Sequence, residues 1–363
     1  MIERRWDNDM VTMQELASSL GISRATVSYA LSRDWKTKGV SRETRRRVLA
    51  RAQEMGYRRN PMATALRTKV SYQIGVLTGD ISGGNSARVL RGIESVLGNR
   101  YSLIVASSDG AAKEKMYLQR FKSQMVDGLI IVHLISPKHA ELVLDLQRQG
   151  KPVVQTGVGV IDGIETVEVD NVGIGRALTE RLVSLGYRRI AYVWGQDRSA
   201  FAQHRRRGYE EAALQHGIQP VSFPEESEGV TPSSVATGVR ATAELCKKWA
   251  PPFAVVLDDS MSAVGVLKTL GDHGLSCPHH VSICACGNRE ISICLVRDLF
   301  ELELSRVTWP AEEVGSYAAR RLLARLHEPG CGDEGPFAAR HGTLEEVGAD
   351  WVPGNTTAPA CHG

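Results

Sequence analysis

The chain of 363 residues is 42% apolar and 23% charged, a globular composition for two or three domains that excludes a fibrous or low-complexity protein. No apolar run reaches the roughly 18 residues of a membrane-spanning helix, and the polar start MIERRWDNDMVTM does not read as a secretory signal. The net charge of +3 divides into +8 over residues 1–70 and −5 over the remainder, so a basic head meeting a polyanion is expected before an acidic body.

The first predicted elements lie in VTMQELASSLGISRATVSYALS, residues 11–32. Thr12 and Glu15 have the spacing of a capping box, and Met13, Leu16, Ala17 and Leu20 follow at helical intervals. Gly21 supplies the positive φ that ends a helix. Ile22 fills the corner, and Ser23 caps a second helix carrying Ala25 to Leu31. Two short helices around a tight turn form a helix-turn-helix, whose second helix enters the DNA major groove. An ordinary helical hairpin would share this pattern.

Ser41 caps a third helix that ends at Gly56. Val48, Leu49, Ala52 and Met55 are expected on its inner face, with Arg42, Arg45, Arg46, Arg47 and Arg51 outside. Arginines so placed are solvated or reach DNA phosphates, which set register rather than sequence. Asn60-Pro61 then opens PMATALR, a helix of about two turns, too short to be stable without a partner.

From Tyr72 the pattern changes to alternating strands and helices. Strands are expected in QIGVLTG, YSLIVASS, VDGLIIVHL and KPVVQTGVG, with helices over 88–97, 113–123 and 139–149 between them. The rhythm restarts at Asp170, with helices over 203–217 and 233–249 and strands in RRIAYVWG, PFAVVLDD and HVSICACGN. Such βαβ alternation builds doubly wound parallel sheets.

Residues 11–67 resemble the head and hinge of the LacI/GalR family of bacterial transcription regulators, on VTMQELASSLGISRATVSYAL, VSRETRRRVLARAQEMGY and NPMATAL. The resemblance continues to about Pro353 through DNVGIG (170–175), LGYRRIAYVWG (185–195), DDSMSAVGVL (258–267) and ELSRVTWPAEEVGSYAARRLL (303–323). It implies an α/β protein with an N-terminal all-α helix-turn-helix head and hinge helix, then a two-lobed periplasmic-binding-protein-like body of doubly wound parallel sheets. The corresponding boundaries are 10–58 for the head, 59–71 for the hinge and linker, and 72–340 for the body. The first lobe takes about 72–170 plus 307–338, the second about 171–306 plus the C-terminal segment, and 354–363 is expected to be a disordered tail.

The resemblance also implies roles. Arg24 and Ala25 occupy the positions that most often choose bases, and an arginine can pair bidentately with guanine. Thr12, Ser23, Thr26, Ser28 and Tyr29 would contact DNA beside them. Asn60, Ala63, Leu66 and Arg67 would form the hinge contacts in the minor groove, Leu66 wedging between base pairs. A small-molecule effector, such as a sugar, would bind between the lobes at Arg205, Asp258 and Asn288. The implied protein is a cytoplasmic homodimeric repressor acting on a double-stranded DNA operator, with no membrane partner and no cofactor.

Four features depart from the family. Arg59 replaces a proline common before the hinge, and the loop from Arg33 to Gly39 is longer than in the commonest members. Asp258 stands where sugar-binding members usually carry asparagine or a similar polar residue. Cys286-Gly287-Asn288 replaces their Gly-Tyr-Asp-Asp-like run, which weakens the expectation of an ordinary sugar. The alternative is a stand-alone small-molecule binding protein with an inactive head.

Enzyme chemistry finds little support. Gly157-Val158-Gly159 and Gly173-Ile174-Gly175 do not complete a dinucleotide fingerprint, and no Gly-x-Ser-x-Gly elbow is present. Cys277, His279, His280, Cys284 and Cys286 lack zinc-finger spacing, so no metal is expected. Seven cysteines without a Cys-x-x-Cys pair read as free thiols.

Overall fold

The computed structural model describes residues 11–32, 35–57, 70–79, 81, 84–98, 100–108, 110–123, 126–132, 136–157, 161–195, 200–223, 233–287, 290–327, 344–347 and 349–360. The chain divides into two compact units, Met1–Ser71 and Tyr72–Gly363.

The head consists of α1 (Met13–Leu20), α2 (Arg24–Ala30) and α3 (Arg42–Glu54). Both halves of the first capping box form. The Glu15 amide donates to Thr12 Oγ1 at 3.2 Å, and the Thr12 amide donates to Glu15 Oε2 at 2.7 Å. Gly21 takes φ 66° at the turn, the left-handed conformation that a side chain would strain. Leu16, Ala17, Val27, Ala30, Val48 and Ala52 close a small core where the three helices meet. Leu49 departs from expectation: it is 44% exposed, because the helical period turns it away once Val48 and Ala52 face inward.

The body contains two six-stranded sheets with the same winding. The first holds β1 (Gln73–Thr78), β2 (Ser102–Ser107), β3 (Gly128–Val132), β4 (Val153–Thr156), β5 (Glu165–Val169) and β11 (Leu344–Val347), in the order β2-β1-β3-β4-β5-β11. The second holds β6 (Ile190–Val193), β7 (Val221–Phe223), β8 (Phe253–Leu257), β9 (Val281–Cys286), β10 (Arg306–Thr308) and β12 (Asp350–Val352), in the order β7-β6-β8-β9-β10-β12. All neighbours are parallel except β12, which runs against β10.

The helices are α4 (Gly84–Leu97), α5 (Ala111–Ser123), α6 (Ala140–Arg148), α7 (Asn171–Ser184), α8 (Ala200–Gln215), α9 (Ser234–Lys248), α10 (Ser262–Asp272), α11 (Glu290–Phe300) and α12 (Ala311–His327). The central strands are buried along their whole length, as parallel sheets covered on both faces require.

Five strands were not legible in the sequence: β5, β7, β10, β11 and β12. β7 is only three residues long, and β5 reads ETVEV with two glutamates. Glu165 is nevertheless 1% exposed, because Arg325 Nε at 2.8 Å and Arg321 Nε at 3.3 Å, both from α12, neutralise it.

Three of the expected boundaries shift. β10 belongs to the second sheet, where Arg306 and Val307 pair with Ala285 and Cys286, so the return to the first lobe comes at α12 and not at residue 307. The body does not end at 340, since β11 joins the first sheet and β12 the second. The described part of the expected tail, 354–360, is an ordered strap. Thr356 is fully buried there, its carbonyl accepting from the Ile283 amide at 2.9 Å. Its hydroxyl donates to the Ile283 carbonyl and accepts from the Ser305 amide, both at 2.9 Å. The Ala360 amide donates to the Leu185 carbonyl at 2.8 Å. The polar composition that suggests disorder serves instead to satisfy the backbone of β9 and of the segment before β10.

The strap carries measurable stability. Thr356→Val keeps the shape and removes a hydroxyl bonded on both sides, so it should cost about 1–3 kcal/mol in chemical denaturation. Removal of residues 354–363 should lower the midpoint further, whereas a detached tail would leave it unchanged.

Candidate DNA-reading helix and ligand cleft

In the head, α2 is held at both ends. Ser23 Oγ accepts from the Thr26 amide at 3.0 Å and pairs with the Thr26 hydroxyl at 2.9 Å. At the far end Arg45 Nε donates to the Ala30 carbonyl at 3.3 Å, placing a cation where the helix dipole is negative. Val27 and Ala30 point into the core, which turns Arg24, Ala25 and Tyr29 outward, Tyr29 being 42% exposed. Thr26 and Ser28 are half-buried beside them. Thr12 is exposed but already committed to the cap of α1.

Basic groups surround this surface. Lys38 Nζ lies 5.2 Å above the Tyr29 ring, and the Arg45 guanidinium lies 4.8 Å above that of Trp35. Arg42, Arg46 and Arg47 are exposed along α3. The arrangement presents a short row of exposed side chains flanked by cations of the kind that suits phosphates. The hinge residues Asn60, Ala63, Leu66 and Arg67 lie outside the described residues.

In the body, register builds the second candidate site. Val193 of β6, Leu257 of β8 and Ala285 of β9 stand level, so the residues after them, Trp194, Asp258 and Cys286, emerge together at the C-terminal edge of the sheet. Loops at this edge are where doubly wound sheets take ligands. Helix α8 delivers Arg205 to the same place. Gly175 of α7 makes this possible, because a Cβ there would lie 1.8 Å from the Arg205 carbonyl oxygen, so only glycine admits the close backbone approach. Tyr209, one turn further on, anchors α8 by donating to the Ile190 carbonyl and accepting from the Val221 amide, both at 2.8 Å.

Arg205 and Asp258 form a buried ion pair, with Nε to Oδ1 at 2.6 Å. Arg205 Nη1 also donates to Asn171 Oδ1 at 2.9 Å. Asp258 Oδ1 accepts from the Tyr192 hydroxyl at 2.7 Å, and Oδ2 accepts from the Gly195 amide at 3.3 Å. Burial alone would weaken the charge on Arg205, but Asp258 more than offsets it and holds the pKa well above the usual arginine value. Burial, reinforced by the Asp258 charge, likewise keeps the Tyr192 phenol protonated. Burial pushes the Cys286 thiol up to about 11, with Arg205 pulling the other way. Cys286 is therefore a neutral thiol near pH 7 and not an activated nucleophile.

Arg205 borders a cavity of about 150 Å³ between the two lobes of the body. Asn85, Thr156 and Val167 line it from the first lobe, Asn171 and Phe201 from the second, and Trp309 stands at the crossing between them. The structure thus brings the expected Arg205 and Asp258 together. Asn288 lies outside the described residues. Asp259, the other carboxylate considered at this edge, closes the turn before the following helix by accepting from the Met261 amide at 2.8 Å, and it also accepts from the Ser234 hydroxyl at 3.0 Å. Sequence reasoning missed Asn85, Thr156, Asn171, Tyr192, Phe201 and Trp309. Asn171 and Tyr192 lie inside quoted family segments, but only the fold assigns them to one site.

The comparisons agree with both halves. A model described as bacterial regulatory proteins, lacI family, matches residues 12–60, and one for a periplasmic binding protein-like domain matches 179–357. Catabolite control protein A of Priestia megaterium is 28% identical, over 88% of this chain and 93% of that protein. The ribose operon repressor of Haemophilus influenzae is 27% identical, over 88% and 93%. The crystal structure of the Lac repressor dimer bound to operator and an anti-inducer superposes with a TM-score of 0.78 at 22% identity, over 96% of this chain and 99% of that one.

A helix-turn-helix head joined to a two-lobed binding-protein body defines a DNA-binding transcription regulator, not an enzyme. The chain belongs to the LacI/GalR family of bacterial transcription regulators.

The network around Arg205 is directly testable. Tyr192→Phe leaves Asp258 Oδ1 one donor short in a buried site and should cost about 1–3 kcal/mol of stability in chemical denaturation. An unchanged midpoint would show that the hydroxyl is not part of the hold on Asp258.

Proposed function

We propose that two copies of this chain form a repressor of a pseudo-palindromic operator, with a small molecule bound between the lobes controlling its affinity. Each head, residues 10–58, reads a half-site. Arg24 and Ala25 choose bases, and Thr12, Ser23, Thr26, Ser28 and Tyr29 contact bases or backbone beside them. The hinge, residues 59–71, pairs with its copy in the minor groove, where Asn60, Ala63 and Arg67 make contacts and Leu66 wedges the central step.

The observation that carries the DNA reading is the exposure of Arg24, Ala25 and Tyr29 on a helix capped at both ends and ringed by cations. The buried Arg205–Asp258 pair beside the cavity between the lobes supports an effector site there, to which we also assign Asn288. The ribose operon repressor among the relatives supports a sugar as the effector class. Closure of the lobes on the effector would alter the hinge spacing and couple the two events. We place the protein in the cytoplasm. Five free thiols among the described residues support this, as does the lack, among those residues, of any helix long and apolar enough to cross a membrane.

In-vitro selection from a random DNA pool should return a two-fold site. Arg24→Ala should then lower affinity for that site by about 1–3 kcal/mol and relax preference at one base pair per half-site, leaving non-specific binding nearly unchanged. A pool with no enriched sequence would overturn the proposal.

A further inference from the structure

Among the described residues that line the cavity one is a cation, Arg205, and it is already paired within its own wall. Its Nε faces Asp258 at 2.6 Å and its Nη1 faces Asn171 at 2.9 Å. Asp258 is equally committed, holding Arg205 and Tyr192 on one oxygen and the Gly195 amide on the other. Asn171 is held as well, its Nδ2 donating to the Val169 carbonyl at 2.9 Å. The charged wall is therefore an internally paired unit of no net charge, with 14% of the Arg205 side chain and 5% of the Asp258 side chain exposed.

The opposite wall is different. Asn85 Oδ1 and Thr156 Oγ1 are buried without a hydrogen-bond partner. Both belong to residues lining the cavity, whose remaining lining includes Val89, Val167, Phe201 and Trp309. A carbonyl and a hydroxyl left open in an apolar wall suit a ligand with O–H or N–H groups.

We propose that Asp258 sets the charge of the ligand this cleft accepts. By neutralising Arg205 it restricts the cleft to uncharged molecules bearing hydroxyl or N–H donors, and it excludes carboxylates and phosphates. The inference rests on the reading of the cleft as an effector site. Among the described lining residues an entering anion finds no cation without a carboxylate partner, and it meets the Asp258 charge already paired with the guanidinium. Repulsion of that kind is how a site rejects a near-isostere. Removing the Asp258 charge frees the guanidinium to take a carboxylate from the ligand instead.

Thermal unfolding of the full chain tests this at constant ionic strength, with matched probes: glucose against glucuronate, galactose against galacturonate and ribose against ribonate. The carboxylates should not move the wild-type midpoint. Asp258→Asn should unfold at lower temperature without additive, because it leaves a buried guanidinium unpaired. A carboxylate probe should raise the variant's midpoint and bind at least about tenfold more tightly than to wild type by calorimetry, the effect of one uncompensated buried charge. Asp258→Asn/Arg205→Gln should lose that response. Asp258→Ser serves the same comparison if the asparagine variant does not fold.

Carboxylates that stabilise wild type and variant alike, or neither, would overturn the proposal. A variant-specific carboxylate response with no neutral sugar moving the wild type would uphold the charge rule. It would refute only the sugar class of effector.

Discussion

Arg205 is held from three directions by chain segments far apart in sequence. Asp258 comes from the end of β8, Asn171 from the first crossing between the lobes, and its own helix is pinned against α7 through Gly175. A buried guanidinium is tolerable only because each of these contacts is present. Losing the carboxylate of such a pair typically costs about 3–5 kcal/mol, far more than an exposed pair contributes. The cleft therefore has a rigid wall in the second lobe, built before any ligand arrives. On the first-lobe side, two polar atoms remain open.

On the proposed reading of the cleft, this polarity between the walls gives the body a means of responding. The chain passes between the sheets three times among the described residues, around 170, around 310 and between β11 and β12. Asn171 and Trp309, both beside the cavity, stand at two of these passages. A ligand that satisfies Asn85 and Thr156 while resting on the fixed Arg205 wall favours one spacing of the lobes over others. Its differential affinity for that spacing is all it can contribute to a switch. The head faces a different constraint. Among the described residues its core has six buried apolar side chains, so caps at Thr12, Ser23 and Ser41 carry a large share of the task of fixing its helices.

Much of this was legible in the sequence, for reasons particular to each part. The head is local: capping box, glycine turn and helical period all act within a few residues, so Thr12, Gly21 and Ser23 could be assigned without a fold. The central strands are continuous apolar runs bounded by turns. What escaped was non-local compensation. β5 hides behind Glu165, whose charge is cancelled by Arg321 and Arg325 more than 150 residues later. The strap at 354–360 reads as a polar tail because its partners, Ile283, Ser305 and Leu185, belong to other elements. Leu49 was misassigned since neighbouring positions on one helix differ only in the direction the core lies.

The sequence by itself determined the helix-turn-helix and the doubly wound alternation, because capping and periodicity are properties of short segments, and its motifs carried the family resemblance that singles out Arg24 and Ala25. Only the tertiary structure decided that Asp258 faces Arg205 while Asp259 turns to the Met261 amide and the Ser234 hydroxyl. Two adjacent aspartates carry the same chemistry in the chain. They differ only in which way the strand's end turns them, and that depends on strand register and helix approach across the whole second lobe.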